Sequence, residues 1–346
     1  MLGLLVACSS SSAGGTAGAG GDMASGGAGT NTDCVAAPDA VFPMQQLGET
    51  DLIRQIAVDG DTLYFRTESA LMKVPTAGGA PETLADLSSM DPSEFWLQSD
   101  SLLVRAEADL LSVPKAGGAG RAVGSPLAPA PTNFANAQLD GTTLYWIASD
   151  SGSYGVYSRE LSGSTSKPLY TTTDELRDLR KVADTLYFVD KDAGSIQTLP
   201  LTGGTPSKLI DADGGDDIVS ADATGLYVTG TIGATTFTNF GLYRQPLNGD
   251  SETLLANELF VDVQTANNSD GAYFAAPAND SPDHSDPTDV APSLLFAAPT
   301  DTATTVRWCI DSSFTVHALA VQGHTAYVSV YETSANKATI ARVALP

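Results

Sequence analysis

The apolar residues of this chain fall into short runs separated by polar turns, and one such run recurs with nearly the same order of residues. Most copies have Leu or Ala in the second place and Tyr in the third. Runs this short and this rich in aromatic and β-branched residues are typical of buried β-strands. The seven copies are residues 62–65, 101–104, 143–146, 185–188, 225–228, 271–274 and 325–328.

Each copy has similar surroundings, which predict a unit of four strands. In the first unit an Asp-Gly turn at 59–61 precedes the recurring run, as in a tight β-hairpin. A second apolar stretch at 71–75 follows, then a turn at Gly78 and Gly79, then a short strand at 82–85. Glycine suits this turn because it tolerates positive φ. The recurring run is therefore the second strand of its unit.

The interval between copies is about 40 residues, which is the length of a four-stranded propeller blade. The second strand is apolar at nearly every place, as expected for a sheet that packs on both faces. A sandwich of stacked hairpins is the alternative, but units of one period favour a ring. We therefore predict an all-β protein, a seven-bladed β-propeller of four-stranded antiparallel blades.

The ends of the repeat region predict how the ring is completed. Residues 340–346 match a third strand, with no fourth strand after it. Residues 41–47 stand where a fourth strand would precede the first unit. Pairing them with the last blade would remove an exposed sheet edge. We expect this N-terminal strand to close the last blade.

The first eight residues form an apolar run that ends in Leu5-Val6-Ala7-Cys8. This stretch resembles the lipobox of bacterial lipoprotein signal peptides. The resemblance implies cleavage before Cys8, a lipid on its sulfur and, with Ser9 next, a place in the outer membrane of a bacterial cell envelope. The Ser, Gly, Ala and Thr that follow are typical of a flexible tether. The expected parts are an apparently truncated signal peptide at 1–7, a lipidated tether at 8–40 and the propeller at 41–346.

The recurring runs also resemble a known repeat. Residues 144–147, Leu-Tyr-Trp-Ile, show it best, and they are similar to the YWTD-type repeats of receptor and bacterial surface propellers. The resemblance extends over about residues 41–346. Propellers of that family usually have six blades, one fewer than the number of runs in this chain.

Composition narrows the range of functions. The chain has 346 residues, 42% hydrophobic and 17% charged, with 33 Gly and 19 Pro. That is enough for a sizeable core and too rich in turn formers for a helical bundle. The net charge of −24 argues against binding to nucleic acid. Because no later segment approaches the roughly 18 apolar residues of a membrane span, we expect a protein that is anchored by its lipid and does not span the membrane. We also expect a monomer.

Sequence motifs for catalysis are scarce. His284, His317 and His324 form no HExxH or HxH pattern, and no Gly-x-Ser-x-Gly sequence is present. His317 and Arg54 are predicted to lie on first strands, which line the central channel of a propeller. Their side chains either occupy a water-filled central channel without a specific role or belong to a functional site.

An acidic loop is the remaining candidate for a metal site. Residues 211–217 place carboxylates beside two glycines, a spacing that could wrap a hard cation such as Ca²⁺. The loop lacks the later Glu of an EF-hand, and a solvated acidic turn is the alternative. No cofactor is certain, and calcium is the candidate, with Asp211, Asp213, Asp216 and Asp217 as ligands.

Two cysteines remain if Cys8 carries a lipid. Cys34 precedes the closing strand, and Cys309 lies in the fourth strand of the sixth unit. Outer strands of neighbouring blades run close together at the rim, and an oxidising envelope permits a disulfide. We predict a Cys34–Cys309 bridge. A mobile Cys34 thiol and a buried Cys309 are the alternative.

The loops on one predicted face vary in length, whereas the turns on the other are short and uniform. Binding sites favour variable loops on a rigid scaffold. We predict a lipid-anchored, non-catalytic cell-envelope propeller that binds a protein, glycan or small ligand through its variable acidic loop face. The alternative is a metal-dependent propeller hydrolase or lyase with a site in the central channel. A third interpretation is a scaffold within an envelope complex.

Overall fold

A computed structural model describes residues 35–36, 52–90, 92–131, 137–212, 217–230, 241–256, 259–260, 263–267, 271–279, 290–297, 305–309, 314–332 and 337–345. Within these ranges the chain forms 29 strands in seven sheets. No helix that could cross a membrane occurs in this described part.

The strands follow one another along the chain sheet by sheet. After β1 (Val35–Ala36), the first sheet contains β2 (Gln55–Asp59), β3 (Thr62–Arg66), β4 (Ala70–Pro75) and β5 (Glu82–Asp86). The second contains β6 (Pro92–Leu97), β7 (Ser101–Ala106), β8 (Asp109–Pro114) and β9 (Arg121–Ala122). The third contains β10 (Gln138–Asp140), β11 (Thr143–Asp150), β12 (Ser153–Glu160) and β13 (Lys167–Thr172).

The fourth sheet contains β14 (Leu176–Val182), β15 (Thr185–Asp190), β16 (Ser195–Pro200) and β17 (Ser207–Asp211). The fifth contains β18 (Asp217–Ala221), β19 (Gly225–Gly230), β20 (Gly241–Pro246) and β21 (Thr253–Ala256). The sixth contains β22 (Leu259–Phe260), β23 (Gln264–Asn267), β24 (Ala272–Asn279), β25 (Val290–Ala297) and β26 (Thr305–Cys309), together with β1. The seventh contains β27 (Phe314–Gln322), β28 (Thr325–Glu332) and β29 (Lys337–Ala344).

Strands that are consecutive in the chain pair antiparallel in each of the first five sheets. The recurring sequence runs lie on, or begin one residue before, β3, β7, β11, β15, β19, β24 and β28, the second strands of these units. The prediction of an all-β propeller built from four-stranded antiparallel units is therefore confirmed. The variable loops predicted on one face do not include residues 148–155, because β11 and β12 continue there as a hairpin with a short turn.

The prediction of seven four-stranded blades is wrong as stated. Six sheets contain at least four strands, and the seventh contains three among the described residues. The predicted closing strand at 41–47 lies outside the described residues. The N-terminal strand that is described, β1, instead pairs in parallel with β26 on the sixth sheet. It can do so because the outer edge of β26 offers unpaired backbone groups.

Turn chemistry explains why the sheets form where they do. Asp59 pairs with Thr62 across the first hairpin, and Gly60 between them has φ of +56°. Gly78 and Gly79 have φ of +91° and +140°, values that residues with a Cβ rarely adopt. Both turns therefore contain backbone conformations that favour glycine, as the sequence predicts.

Apolar side chains pack between consecutive sheets in seven clusters, and the last cluster joins the seventh sheet to the first. In that cluster Phe65 of β3 is fully buried with Tyr327 of β28. Burying one such side chain contributes about 1.5–3 kcal/mol. The first strands contact one another around the axis, so polar side chains on them come close although they belong to different sheets.

Candidate functional site

Charged side chains gather where first strands of the second, fourth and fifth sheets begin. Glu94 lies on β6, three of the four charged residues of β14 lie beside it, and Asp217 opens β18. Arg105, near the end of β7, joins them because it pairs directly with Glu94. This end of the sheets is the one at which the sequence predicts the variable loops. We call the following residues the inner charged cluster: Glu94, Arg105, Arg177, Asp178, Arg180 and Asp217.

Irregular strand pairing changes the direction of these side chains. The register between first and second strands shifts near Glu94 on β6, within β14 and near the start of β18. An extra residue at a β-bulge interrupts the alternation of side chains and re-aims them. On β14 the shift includes Asp178, whose φ is +56°, a conformation in which Asp is one of the few tolerated residues. The bulges therefore help to bring charged groups of different sheets close together.

Glu94 and Arg105 form the most deeply buried ion pair of the cluster. Arg105 Nε lies 2.7 Å from Glu94 Oε1, and the side chains are 2% and 14% exposed. Arg105 Nη1 also donates to the carbonyl of Glu107 at 3.2 Å, and the Ala137 N–H donates to the Glu94 carboxylate. Burial raises the pKa of Glu94 to about 7, although Arg105 and Arg180 favour its ionised form. The pair thus holds a carboxyl that titrates near neutral pH.

Two aspartates form a second pair nearer to solvent. Asp178 is 18% exposed and Asp217 49%. Burial first, and then the neighbouring Asp217 carboxylate, raise the pKa of Asp178 to about 7. Arg177 Nη2 lies 3.4 Å from Asp217 Oδ1, and Arg177 Nε lies 3.9 Å from Asp178 Oδ2. Since a neighbouring carboxylate disfavours ionisation, Asp217 favours the protonated form of Asp178.

Arg180 lies between these two pairs. Its Nη2 donates to the carbonyl of Val219 at 2.8 Å and its Nη1 to that of Leu179 at 3.0 Å. Burial lowers the pKa of the guanidinium, whereas Asp178 and Glu94 oppose that effect. Its charge therefore acts on both carboxyls. It also ties the fourth sheet to the fifth.

Side chains of the first sheet fix β6 in place. The Gln55 amide donates to the Phe95 carbonyl and accepts from the Phe95 N–H, both at 2.8 Å. Arg66 Nη2 donates to the Ser93 carbonyl at 3.1 Å. These bonds hold the backbone on both sides of Glu94, so its carboxylate has a defined position.

The predicted calcium ligands do not come together as a set in the described residues. Asp211 is 85% exposed and accepts from Lys208 Nζ at 2.8 Å. Asp217 instead belongs to the inner charged cluster, beside Arg177. Asp213 and Asp216 lie outside the described residues. Calcium at this loop stays a prediction.

Other predicted residues can be placed in part. His317 lies on β27 with its ring 6.1 Å from that of Tyr331. Arg54 precedes β2 and pairs with Glu68 at 2.6 Å, where both side chains are well exposed. His317 therefore lies on a first strand, as predicted, whereas Arg54 lies just before one. His324 lies in the turn after β27, Cys309 ends β26, and His284, Cys8 and Cys34 lie outside the described residues.

Sequence reasoning missed most of the cluster. Only Asp217 was a candidate, and it was assigned to a different role. A signal was present in Leu176-Arg177-Asp178-Leu179-Arg180, which puts three charges on a strand expected to face the channel. The sequence does not show that Glu94, which is 84 residues before Asp178, lies close to Arg180 in the folded protein.

Together these features define a β-propeller with a buried, arginine-rich cluster at one end of its channel. No known family and no curated protein matches the sequence. Solved structures with the same fold include an oligogalacturonate lyase in complex with manganese, 13% identical, with a TM-score of 0.65 over 90% of this chain and 97% of that one. An oligogalacturonate lyase from Vibrio parahaemolyticus is 11% identical, with a TM-score of 0.66 over 91% and 98%.

A third similar structure is PorZ, a surface component of the type-IX secretion system of Porphyromonas gingivalis. It is 12% identical, with a TM-score of 0.54 over 89% of this chain and 39% of that one. Identities this low show a shared fold and nothing finer. They support the propeller, which hosts many unrelated functions.

The manganese of one neighbour raises the question of whether this chain could hold such an ion. Across the residues that the structure describes, no three His, Cys, Asp or Glu side chains are grouped so that they could bind a metal. In the inner charged cluster the cation beside Asp178 and Asp217 is the Arg177 guanidinium. The described residues therefore do not fit manganese, and we derive no step through it.

Proposed function

We propose that this protein is a lipid-anchored propeller of the bacterial cell envelope that binds a small anionic ligand, such as a carboxylated sugar, at the inner charged cluster. The observation that carries this proposal is a group of three arginines at one end of the sheets, with Arg177 partly exposed, inside a protein of net charge −24. Three arginines face three carboxyls, of which Glu94 and Asp178 have pKa values of about 7.

The charge balance follows from those pKa values. At pH 7 a carboxyl with a pKa of about 7 carries only about half of its negative charge. The guanidinium groups stay fully charged. The cluster is therefore net positive at neutral pH, and an arriving anion would restore neutrality by ionic hydrogen bonds.

Accessibility favours Arg177 as the residue that meets the ligand. Arg177 is 25% exposed, whereas Arg105 is 2% exposed and committed to Glu94. A guanidinium offers paired donors that match the geometry of a carboxylate. Asp178, when protonated, adds a donor of its own. The ligand class is supported further by the acidic saccharides named for two neighbours of the same fold.

A second function is favoured by one specific observation, the raised pKa of Asp178 beside Arg177. A carboxyl that titrates near the working pH can take up or release a proton during catalysis. In a lyase on a carboxylated sugar, Arg177 would neutralise the substrate carboxylate. Ionised Asp178 would remove the proton on the adjacent carbon, the C–H electrons would form a double bond to the next carbon, and the glycosidic oxygen would leave from that carbon and take a proton from water. The lyase neighbours support this alternative only through the shared fold.

Calorimetric titration with acidic and neutral oligosaccharides of equal length tests the main proposal. We expect binding of the acidic ligand alone, weakened at least about tenfold by Arg177→Gln because a charged hydrogen bond is lost. Arg54→Gln is the matched control, since Arg54 is also at a first strand but outside the cluster. Equal binding of neutral sugars, or full affinity in Arg177→Gln, would contradict the proposal. Accumulation of an unsaturated product would favour the lyase.

A further inference from the structure

Arg177 lies between the carboxyls of Asp178 and Asp217. Its Nη2 is 3.4 Å from Asp217 Oδ1, and its Nε is 3.9 Å from Asp178 Oδ2. Both distances are longer than the roughly 2.7–2.9 Å of a charged hydrogen bond. A ligand carboxylate could therefore approach this guanidinium more closely than either aspartate does.

A carboxylate bound at Arg177 would add a negative charge beside the two aspartates. Asp178 is 18% exposed and Asp217 is 49% exposed, so water screens the repulsion less well at Asp178. Burial and a nearby like charge both favour the neutral form of a carboxyl. The proton that relieves the repulsion is therefore expected on Asp178.

The surroundings of Asp178 favour this proton before any ligand arrives. Burial first, then the charge of Asp217 and a hydrogen bond between the two side chains, raise the pKa of Asp178 to about 7, although Arg180 and Arg177 act in the opposite direction. A ligand carboxylate would act on Asp178 in the same direction as Asp217 does. Binding should therefore raise the pKa of Asp178 further.

Each strand close to β14 carries one carboxyl, and most of these groups are held by other partners. Asp140 pairs with Lys181 at 3.0 Å, and Asp150 and Asp190 accept hydrogen bonds within their own turns. The charges that act on Asp178 are those of Asp217, Arg180 and Arg177. The strand carboxyls are Glu94 on β6, Asp140 on β10, Asp150 on β11, Asp190 on β15 and Asp217 on β18.

We propose that the anionic ligand binds together with one proton, which Asp178 holds while the ligand carboxylate occupies Arg177. This inference rests on the proposed function, because it concerns the same ligand at the same site. By linkage, protonation strengthens binding by the same free energy with which the ligand favours the protonated carboxyl. The protein would thus capture its ligand in mildly acidic surroundings and release it in alkaline ones.

Calorimetric titration with a uronic acid trisaccharide at pH 6 and pH 8 gives the first test. The ligand stays ionised throughout, since free carboxyls titrate near about pH 4. Asp178, with a pKa of about 7, is protonated in about nine tenths of the molecules at pH 6 and in about one tenth at pH 8. We therefore expect binding to be about tenfold weaker at pH 8.

Asp178→Asn separates this proton from other effects of pH. The amide cannot ionise, and Asn tolerates the φ of +56° at this position, so the fold is retained. Its affinity should be equal at the two pH values within about twofold. Glu175→Gln is the matched control, because Glu175 directly precedes β14 and pairs with Lys191 at 2.9 Å. It should keep the tenfold fall. An unchanged fall in Asp178→Asn would overturn the inference.

The number of protons taken up is measured directly by repeating the titration at pH 7.5 in Tris and in triethanolamine. These buffers differ in ionisation enthalpy, and neither adds an anion of its own. We expect uptake of about half a proton or more, and none in Asp178→Asn. Binding without proton uptake would overturn this inference and leave the proposed function standing. Absence of binding at every pH would overturn both.

Discussion

The Tyr227 hydroxyl donates a hydrogen bond of 2.7 Å to Asp222 Oδ2, although Tyr227 lies in the centre of the fifth sheet and is fully buried. Asp222 Oδ1 accepts from the Thr224 N–H at 2.7 Å and from the Gly225 N–H at 3.0 Å. Burial alone would raise the pKa of Asp222, but these hydrogen bonds outweigh it and lower the pKa. One carboxylate thus organises a turn and satisfies a buried phenol.

Replacing Asp222 with Ala should destabilise the protein by about 2 kcal/mol or more, because a buried hydroxyl and two turn N–H groups lose their acceptor. Chemical denaturation measures the loss. Asp184→Ala is the matched control, because Asp184 lies in the equivalent turn of the fourth sheet and is exposed. Equal losses in the two variants would show that the contact with Tyr227 is not the reason.

Glu94 should make the protein less stable as the pH rises from about 4.5 to about 7. Its folded-state pKa is raised to about 7 from 4.5, so the folded state binds the proton more tightly than the unfolded state does. The stabilisation is complete below the unfolded pKa and is lost as the pH rises through the folded one. Glu94→Gln should flatten this part of the profile of unfolding free energy against pH.

Glu68→Gln is the control for that profile, since Glu68 is 54% exposed and pairs with Arg54 at the surface. We expect the slope between these pH values to remain in the control. An unchanged slope in Glu94→Gln would mean that other groups, such as Asp178, carry the effect.

Cys34 and Cys309 should form a disulfide in the mature protein. β1 places Ala36 opposite Cys309, and Cys34 is two residues earlier in the sequence, so the bridge requires the segment before β1 to bring Cys34 back toward Cys309. In the chain-entropy model a loop this long contributes up to about 5 kcal/mol. Mass spectrometry of the denatured, alkylated protein should find no free thiol at either cysteine without reductant. Two alkylated thiols would contradict the bridge, and Cys309→Ser should leave Cys34 alkylated.

Cys8 should carry the lipid that anchors the protein. Two or more acyl chains bind a membrane stably, since each buried CH₂ contributes about 0.8 kcal/mol. Cys8→Ala should move the protein from the membrane fraction to the soluble one, and Cys34→Ala should not. Membrane association that survives Cys8→Ala would rule out the lipobox interpretation.

The repeat could be predicted because the second strands are buried on both faces. Consecutive residues such as Leu186, Tyr187 and Phe188 are all buried. Because packing limits the residue type at each of these positions, the same pattern recurs in each unit. The inner charged cluster has no such period. It depends on bulges in single strands and on contacts between sheets, as between Arg180 and Val219. Local sequence does not show which charged residues of distant units face each other.

The position of β1 also has a consequence for how the molecule would meet a membrane. Because β1 is the outermost strand of the sixth sheet, the described part of the chain begins at the rim of the propeller. A domain tethered through Cys8 would therefore be attached at its rim. Such an attachment would cover neither end of the axis, so ligands could reach the inner charged cluster from the surrounding solution.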